Sequence, residues 1–260
     1  MDRMMLKAHY IEELRRSAEQ GDARAQLFLG AAYEDGDSGV ERDCAKAMKW
    51  YARAAEQGNR EAQFNLGEMY AARDDAEAVK WYRKAAEQGF GYAQCQLAMM
   101  TARGYGVARD DAEAAKWYRK AAECGIPEAR FNLGLMTARG QGVAQDDAEA
   151  VKWLREAAAH WTAAQYHLGA MIAEGRGVAQ DDAEAMQWIR KAAERGDPDA
   201  QYELAERYAK GRGVARDDAE AAKYLRQATE AVKHLRRAAE SGNRCARNAL
   251  EAMGKARGLG

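Results

Sequence analysis

The sequence predicts an all-α solenoid of about six helix-turn-helix repeats with an extra helix at each end. Three observations predict it. The segment Asp74–Glu87 (Asp-Asp-Ala-Glu-Ala-Val-Lys-Trp-Tyr-Arg-Lys-Ala-Ala-Glu) recurs from Asp110, Asp146, Asp181 and Asp217, and more loosely from Asp43. A second segment, Glu61–Tyr70, lies between these copies and returns around Leu29, Leu97, Leu133, Leu168, Leu204 and Leu250. Both segments place their apolar residues at helical spacing, Ala78, Trp81, Tyr82 and Ala85 in one and Ala62, Leu66 and Tyr70 in the other. A period of about 35 to 37 residues is the signature of a repeat architecture. The copy near 59–89 is shorter because its connecting loop lacks the Gly-x-Gly-Val element.

Taken in chain order, a lone helix over about 4–20 resembles the second helix of a repeat through Leu14 and Ala18-Glu19-Gln20-Gly21. Six hairpins follow at 22–58, 59–89, 90–125, 126–161, 162–196 and 197–242, within a single solenoid domain over 1–260. Asp74 with Glu77 has capping-box spacing, one carboxylate for the orphan N–H groups and the other reaching back. Gly89, Gly125 and Gly196 stand where a left-handed residue ends a helix. One hairpin cannot cover both faces of Leu66, Trp81 and Tyr82. Each such side chain contributes roughly 1.5–3 kcal/mol when buried, so stacking on the next copy is the stable solution. A last helix over 243–255 resembles a first helix through Ala246 and Leu250, with Asn248 and Glu251 as the polar substitutions a terminal cap requires.

Two places depart from the pattern. At Ala159-His160-Trp161-Thr162 the terminal glycine is missing, which predicts a repacked joint or an exposed aromatic anchor. Lys223-Tyr224-Leu225-Arg226 is echoed ten residues later by Lys233-His234-Leu235-Arg236. Ten residues turn a helix by about 1000°, short of whole turns. The segment 217–241 is therefore one long helix whose apolar face swings sideways, or two helices broken near Thr229. Either form would expose a surface suited to self-association.

The pattern Ala-x-x-x-Leu-Gly-x-x-Tyr, Gly-x-Gly-Val, Asp-x-x-x-Ala-x-x-Trp-Tyr-x-x-Ala-Ala-x-x-Gly resembles the SEL-one-like repeat (SLR) family, a relative of the tetratricopeptide repeat, over roughly residues 10–254. The resemblance implies a right-handed α/α superhelix whose first helices line the concave surface. It also implies a bacterial adaptor or scaffold that binds other proteins. Some relatives look like immunity proteins that mask secreted effectors, and others like disulfide-stapled, β-lactamase-like hydrolases. The stapled type carries two cysteines per repeat, which this chain does not.

The composition excludes several classes. With 40 basic and 41 acidic residues the formal charge is −1, so nucleic-acid binding by bulk phosphate attraction is not expected. No apolar run reaches the roughly 18–20 residues that span a bilayer. The charged start lacks a secretory h-region, so a cytoplasmic protein is expected. Cys44, Cys95, Cys124 and Cys245 show no paired spacing; a Cys95–Cys124 bridge stays open for an exported protein. The Gly-x-Gly triplets at 104–106, 140–142, 175–177 and 211–213 each follow a helix rather than a strand, so they are hairpin turns and not phosphate cradles. The Asp-Asp pairs are caps. His160 and His167 lie in different helices without further ligands at metal spacing, and the few serines (Ser17, Ser38, Ser241) include no nucleophile motif. Trp50, Trp81, Trp117, Trp153 and Trp188 form a fixed column that reads as core. No catalytic residue, metal or cofactor is expected.

What varies between copies is informative. The Ala and Leu columns of the first helices stay constant, whereas other columns change. One reads Phe28, Asn65, Gln96, Asn132, His167, Glu203; another includes Glu68, Met99, Leu135 and Glu206. Tyr92 lies one turn earlier, and Arg103, Arg139, Glu174 and Lys210 one turn later. These positions share one helix face beside the core stripe. They predict a concave strip for a peptide or partner protein, apolar and basic in the middle and acidic at Glu203 and Glu206.

Overall fold

The computed structural model describes residues 3–36, 39–240 and 250, with side chains from His9 onward. Among the described residues there are helices and no strand: α1 (Arg3–Glu19), α2 (Ala23–Asp35), α3 (Cys44–Glu56), α4 (Arg60–Ala71), α5 (Asp75–Glu87), α6 (Gly91–Arg103), α7 (Asp111–Glu123), α8 (Pro127–Arg139), α9 (Asp147–Ala158), α10 (Thr162–Glu174), α11 (Asp182–Glu194), α12 (Pro198–Lys210) and α13 (Asp218–Glu240). Helices α2, α4, α6, α10 and α12 each pack most extensively on the helix that follows and next on the helix before. That is the packing of a repeated hairpin. The chain forms two compact units, Met1–Ala129 with Gln141–Val143, and Arg130–Gly140 with Ala144–Gly260.

In the first unit, Leu29, Leu66 and Leu97 of the first helices and Tyr51, Tyr82 and Tyr118 of the second helices are at most 4% exposed. Each tyrosine ring fits where the leucine is followed by a small residue. A Cβ on Gly67 would come within 2.7 Å of the Tyr82 ring, so the Leu-Gly pair is a notch for the aromatic. In the second unit the same places are held by Leu133, Leu168 and Leu204 facing Leu154 and Ile189.

The tryptophan column predicted as core is only partly buried, and the residue after each tryptophan takes the buried place. One residue step turns a helix by about 100°, which moves the indole from the notch to the helix flank. There it is held within its own helix. The indole N–H of Trp117, Trp153 and Trp188 donates to Glu113, Glu149 and Glu184 at 3.3, 3.1 and 3.2 Å. Arg53, Lys84, Lys120 and Lys191 cover the rings of Trp50, Trp81, Trp117 and Trp188 at 3.9–4.7 Å.

The same glutamates explain why only half of the capping box forms. Asp74, Asp110, Asp146 and Asp181 accept from N–H groups of the first turn, as expected. Their own backbone N–H groups donate to the carbonyls of Tyr70, Thr101, Thr137 and Ile172 in the preceding helix. No donor is left for a glutamate to reach back to. Glu113 and Glu184 instead accept from Arg83 and Arg155 of the preceding repeat, at 3.2 and 2.7 Å.

A buried glutamine column joins successive hairpins. Gln26, Gln63, Gln94, Gln165 and Gln201 donate from Nε2 to the carbonyls of Ala18, Ala55, Ala86, Ala158 and Ala193, each near the end of the preceding second helix. These carbonyls lie in the last turn, where intrahelical partners run out. Through the contact from Gln26 to Ala18, α1 holds the same place relative to α2 as α3 does to α4.

Helix α13 runs unbroken from Asp218 to Glu240, and the Thr229 hydroxyl donates to the Leu225 carbonyl at 2.8 Å. Tyr224, in the tryptophan column, is buried and stacked on Tyr208 at 6.0 Å. Leu225, in the column buried in every earlier hairpin, is 47% exposed. The apolar face has swung, as the ten-residue echo predicts. The cap expected over 243–255 lies outside the described residues except for Leu250, which is helical and partly buried.

Candidate protein-binding surface

The strip residues are divided between the two units. In the first, Phe28 is 43% exposed, with the Arg24 guanidinium 5.7 Å from its ring centroid. Tyr92 is 59% exposed, Gln96 and Met99 are partly buried, and Arg103 is exposed, 6.0 Å from the Tyr105 ring centroid. Two strip residues are committed to the fold. Asn65 hydrogen-bonds the Tyr51 hydroxyl, which also donates to Glu34 at 2.7 Å, and Glu68 accepts from the Tyr82 hydroxyl. Burial raises the Glu128 carboxyl above its ordinary range, with the Arg103 charge opposing.

Tyr92 belongs to an aromatic cluster. Phe64 of α4 lies 5.3 Å from Phe90 and 6.3 Å from Tyr92, Phe90 and Tyr92 are 5.9 Å apart, and the Arg60 guanidinium lies 5.8 Å from the Phe90 centroid. Phe64, Phe90 and Arg60 fall outside the predicted strip. The signal for Phe90 lies in the cap column, where Asp22, Asn59 and Asp197 accept from helix N–H groups. Phe90 and Trp161 stand at the same position of α6 and α10 without a side-chain cap. Replacing such a cap costs about 0.5–2 kcal/mol, so these two aromatics are held against local stability. Trp161 is 37% exposed.

In the second unit, Asn132 and Leu135 are partly buried and Arg139 is exposed. The His167 ring lies between Phe131 at 5.5 Å and Tyr166 at 5.2 Å. Burial first, and the Arg139 charge second, pull its imidazole down to about 4, so it is neutral at pH 7. The expected acidic end is compensated within its own helix. Glu203 accepts from Arg207 and Glu206 from Lys210, both at 2.9 Å, and Glu174 lies 3.7 Å from Arg176. Arg207 is buried and takes the column of Met69, Met100, Met136 and Met171. Both glutamate pairings within α12 are i, i+4, and the second joins two residues of the strip itself, Glu206 and Lys210.

Cys44, Cys95 and Cys124 are free thiols; Cys245 lies outside the described residues. The Cys124 thiol points at Gln94 Oε1 at 3.8 Å, and burial pushes the Cys95 thiol far above its ordinary range. A protonated, enclosed thiol is a poor nucleophile. Among the described residues no group of His, Cys, Asp and Glu could hold a metal ion, and no helix is long and apolar enough to cross a membrane.

The sequence model of the Sel1 repeat matches residues 23–59, 60–90, 91–126, 127–160, 162–197, 198–231 and 228–243. The chain belongs to the Sel1 repeat family. Two solved structures agree with this. The chain is similar to c5321, a protective antigen present in uropathogenic Escherichia coli strains and displaying an SLR fold, with 35% identity and a TM-score of 0.79 over 91% of this chain and 57% of that one. It is also similar to a Sel1 repeat protein from Oxalobacter formigenes, with 32% identity and a TM-score of 0.72 over 85% of this chain and 96% of that one. Immunity protein PA5088 from Pseudomonas aeruginosa, at 22% identity and a TM-score of 0.51 over 81% of this chain and 82% of that one, shares the fold alone. Among curated proteins, the ERAD-associated E3 ubiquitin-protein ligase component HRD3A of Arabidopsis thaliana is 46% identical over 55 residues. That stretch is 21% of this chain and 8% of HRD3A. Sel1 repeat proteins are generally protein-interaction scaffolds.

Proposed function

We propose that the protein is a non-catalytic scaffold that holds a peptide or partner protein along the faces of its first helices. The contacts would be Tyr92, Met99 and Arg103 in the first unit, and Leu135, Arg139 and His167 in the second. The observation that carries this reading is the Phe64–Phe90–Tyr92 cluster. Its rings are open to solvent in part, its Phe90 replaces a helix cap, and Arg60 lies beside it. Exposed aromatics next to arginine are the side chains that anchor interfaces, because they bury much area at little entropic cost. Asn65, Glu68, Glu203, Glu206 and Lys210 support the helices themselves and contribute less to a partner.

A photo-crosslinking amino acid placed at Tyr92 in cells of the native host tests this, with Lys116 on a second helix as the control position. The expected outcome is a discrete adduct from Tyr92 and none from Lys116. Its recovery should fall at least tenfold with Arg103→Glu plus Arg139→Glu. Equal adducts from both positions, or recovery unchanged by the double substitution, would overturn the assignment of this face.

A further inference from the structure

The sixth hairpin is matched by the family twice, over 198–231 and again over 228–243. The second match begins inside the first and spans the echo of the second-helix segment that starts at Lys233. Two second helices are therefore fused in α13 without a first helix between them. Elsewhere that place is filled, with α4 seated on α3, α6 on α5, α10 on α9 and α12 on α11. Here it is a groove of about 390 Å³ lined by Tyr202 of α12 and by Leu225, Ala228, Thr229, Val232, Lys233 and Arg236 of α13. The residues are those of a helix seat. Leu225 and Thr229 are exposed, although their columns are buried at Ile189 and Ala193 of the preceding hairpin, and Tyr202 is 40% exposed.

Charge decides the occupant. Between Arg226 and Arg237 the helix carries four fixed cations, Arg226, Lys233, Arg236 and Arg237, against Glu230 alone. Glu230 is already shared between Lys233 at 3.6 Å and His234 at 3.4 Å. A two-fold pairing of two copies through this groove would set Lys233 and Arg236 against their own counterparts. We propose that the groove between α12 and the second half of α13 docks an amphipathic helix with an acidic flank, supplied by a partner protein in place of the missing first helix.

The probe is a fluorescein-labelled helical peptide carrying the Ala62, Leu66 and Tyr70 register of α4, flanked by glutamates, compared with its lysine-flanked twin. In anisotropy titrations of the full chain, the acidic peptide is expected to bind saturably. The lysine twin should bind at least tenfold more weakly, and Leu225→Glu and Arg236→Glu should each weaken the acidic peptide at least tenfold. Both residues are exposed, so the variants keep the fold, which circular dichroism melts verify. Lys116→Glu, at an exposed site on α7, should leave binding unchanged. The proposal is overturned by absent saturation, by equal binding of the two peptides, or by binding that survives both groove substitutions. It is also overturned if sedimentation velocity finds a dimer of the chain that Leu225→Glu converts to monomer.

Discussion

His167 shows how a single side chain departs from what its column suggests. As one variable position among polar ones, it reads as a solvated contact. Packed between Phe131 and Tyr166, it loses the water that stabilises imidazolium, and Arg139 adds repulsion. Its native pKa lies near 4, below the ordinary 6.5. Above about 6.5 both folded and unfolded forms are neutral and the fold carries no penalty. As pH falls from 6.5 towards 4, the unfolded chain takes up a proton that the native ring refuses, so stability drops in that window. In an NMR titration, His167 is expected to titrate near 4. Titration of His167 near 6.5 would remove it from the packed site. The glutamine column gives the same lesson. Gln63 and Gln94 are polar residues beside an apolar stripe, yet each completes the end of another helix, a contact that helical periodicity alone does not disclose.

At the scale of elements, the caps and the turns were legible. Asp at the start of α3, α5, α7, α9 and α11, and glycine after the end of α3, α5, α7 and α11, are demanded by backbone geometry within a few residues. Less legible was the use of the Gly-x-Gly loop as a joint. A Cβ on Gly106 would stand 2.2 Å from the Asp75 carbonyl oxygen of the preceding repeat. On Gly142 and Gly177 it would stand 2.1 Å from Asp111 and Asp147, but on Gly213 it would be 3.1 Å from Asp182. All four have positive φ of 65–69°. The last joint is looser where the buried Arg207 reaches Asp182 at 3.5 Å. Gly106→Ala and Gly213→Ala therefore share the left-handed penalty of about 1–2 kcal/mol, and only Gly106→Ala adds a backbone clash. Urea unfolding should find Gly106→Ala the more destabilising by at least ~1 kcal/mol. Equal losses would show that the close approach at Gly106 does not hold the joint.

Across the whole molecule, the core is divided rather than central. Leu29 packs in a cluster with Tyr51 and Leu66, whereas Leu97 packs in another with Tyr82 and Met100, both within the first unit. A chain whose contacts run only to neighbouring hairpins adds its stability locally. Leu29→Ala and Leu97→Ala are each expected to cost about 2–5 kcal/mol. Their double variant should equal the sum within about 0.5 kcal/mol. A coupling well above that in urea unfolding would indicate one continuous core.

The sequence by itself determined the repeat, its helical hairpin, the caps and the Leu columns, because those depend on spacing within a turn or two of helix. It also marked the ten-residue echo in α13 as a change of face. Only the tertiary structure decided that the residue after each tryptophan, rather than the tryptophan, enters the core. It alone paired Glu113 and Glu184 with Arg83 and Arg155 of the preceding repeat, brought Phe64 and Phe90 to Tyr92, and opened the groove beside Leu225. These outcomes depend on which neighbouring helix supplies a notch, a ring or a counter-charge, and that is a property of packing in space rather than of periodicity along the chain.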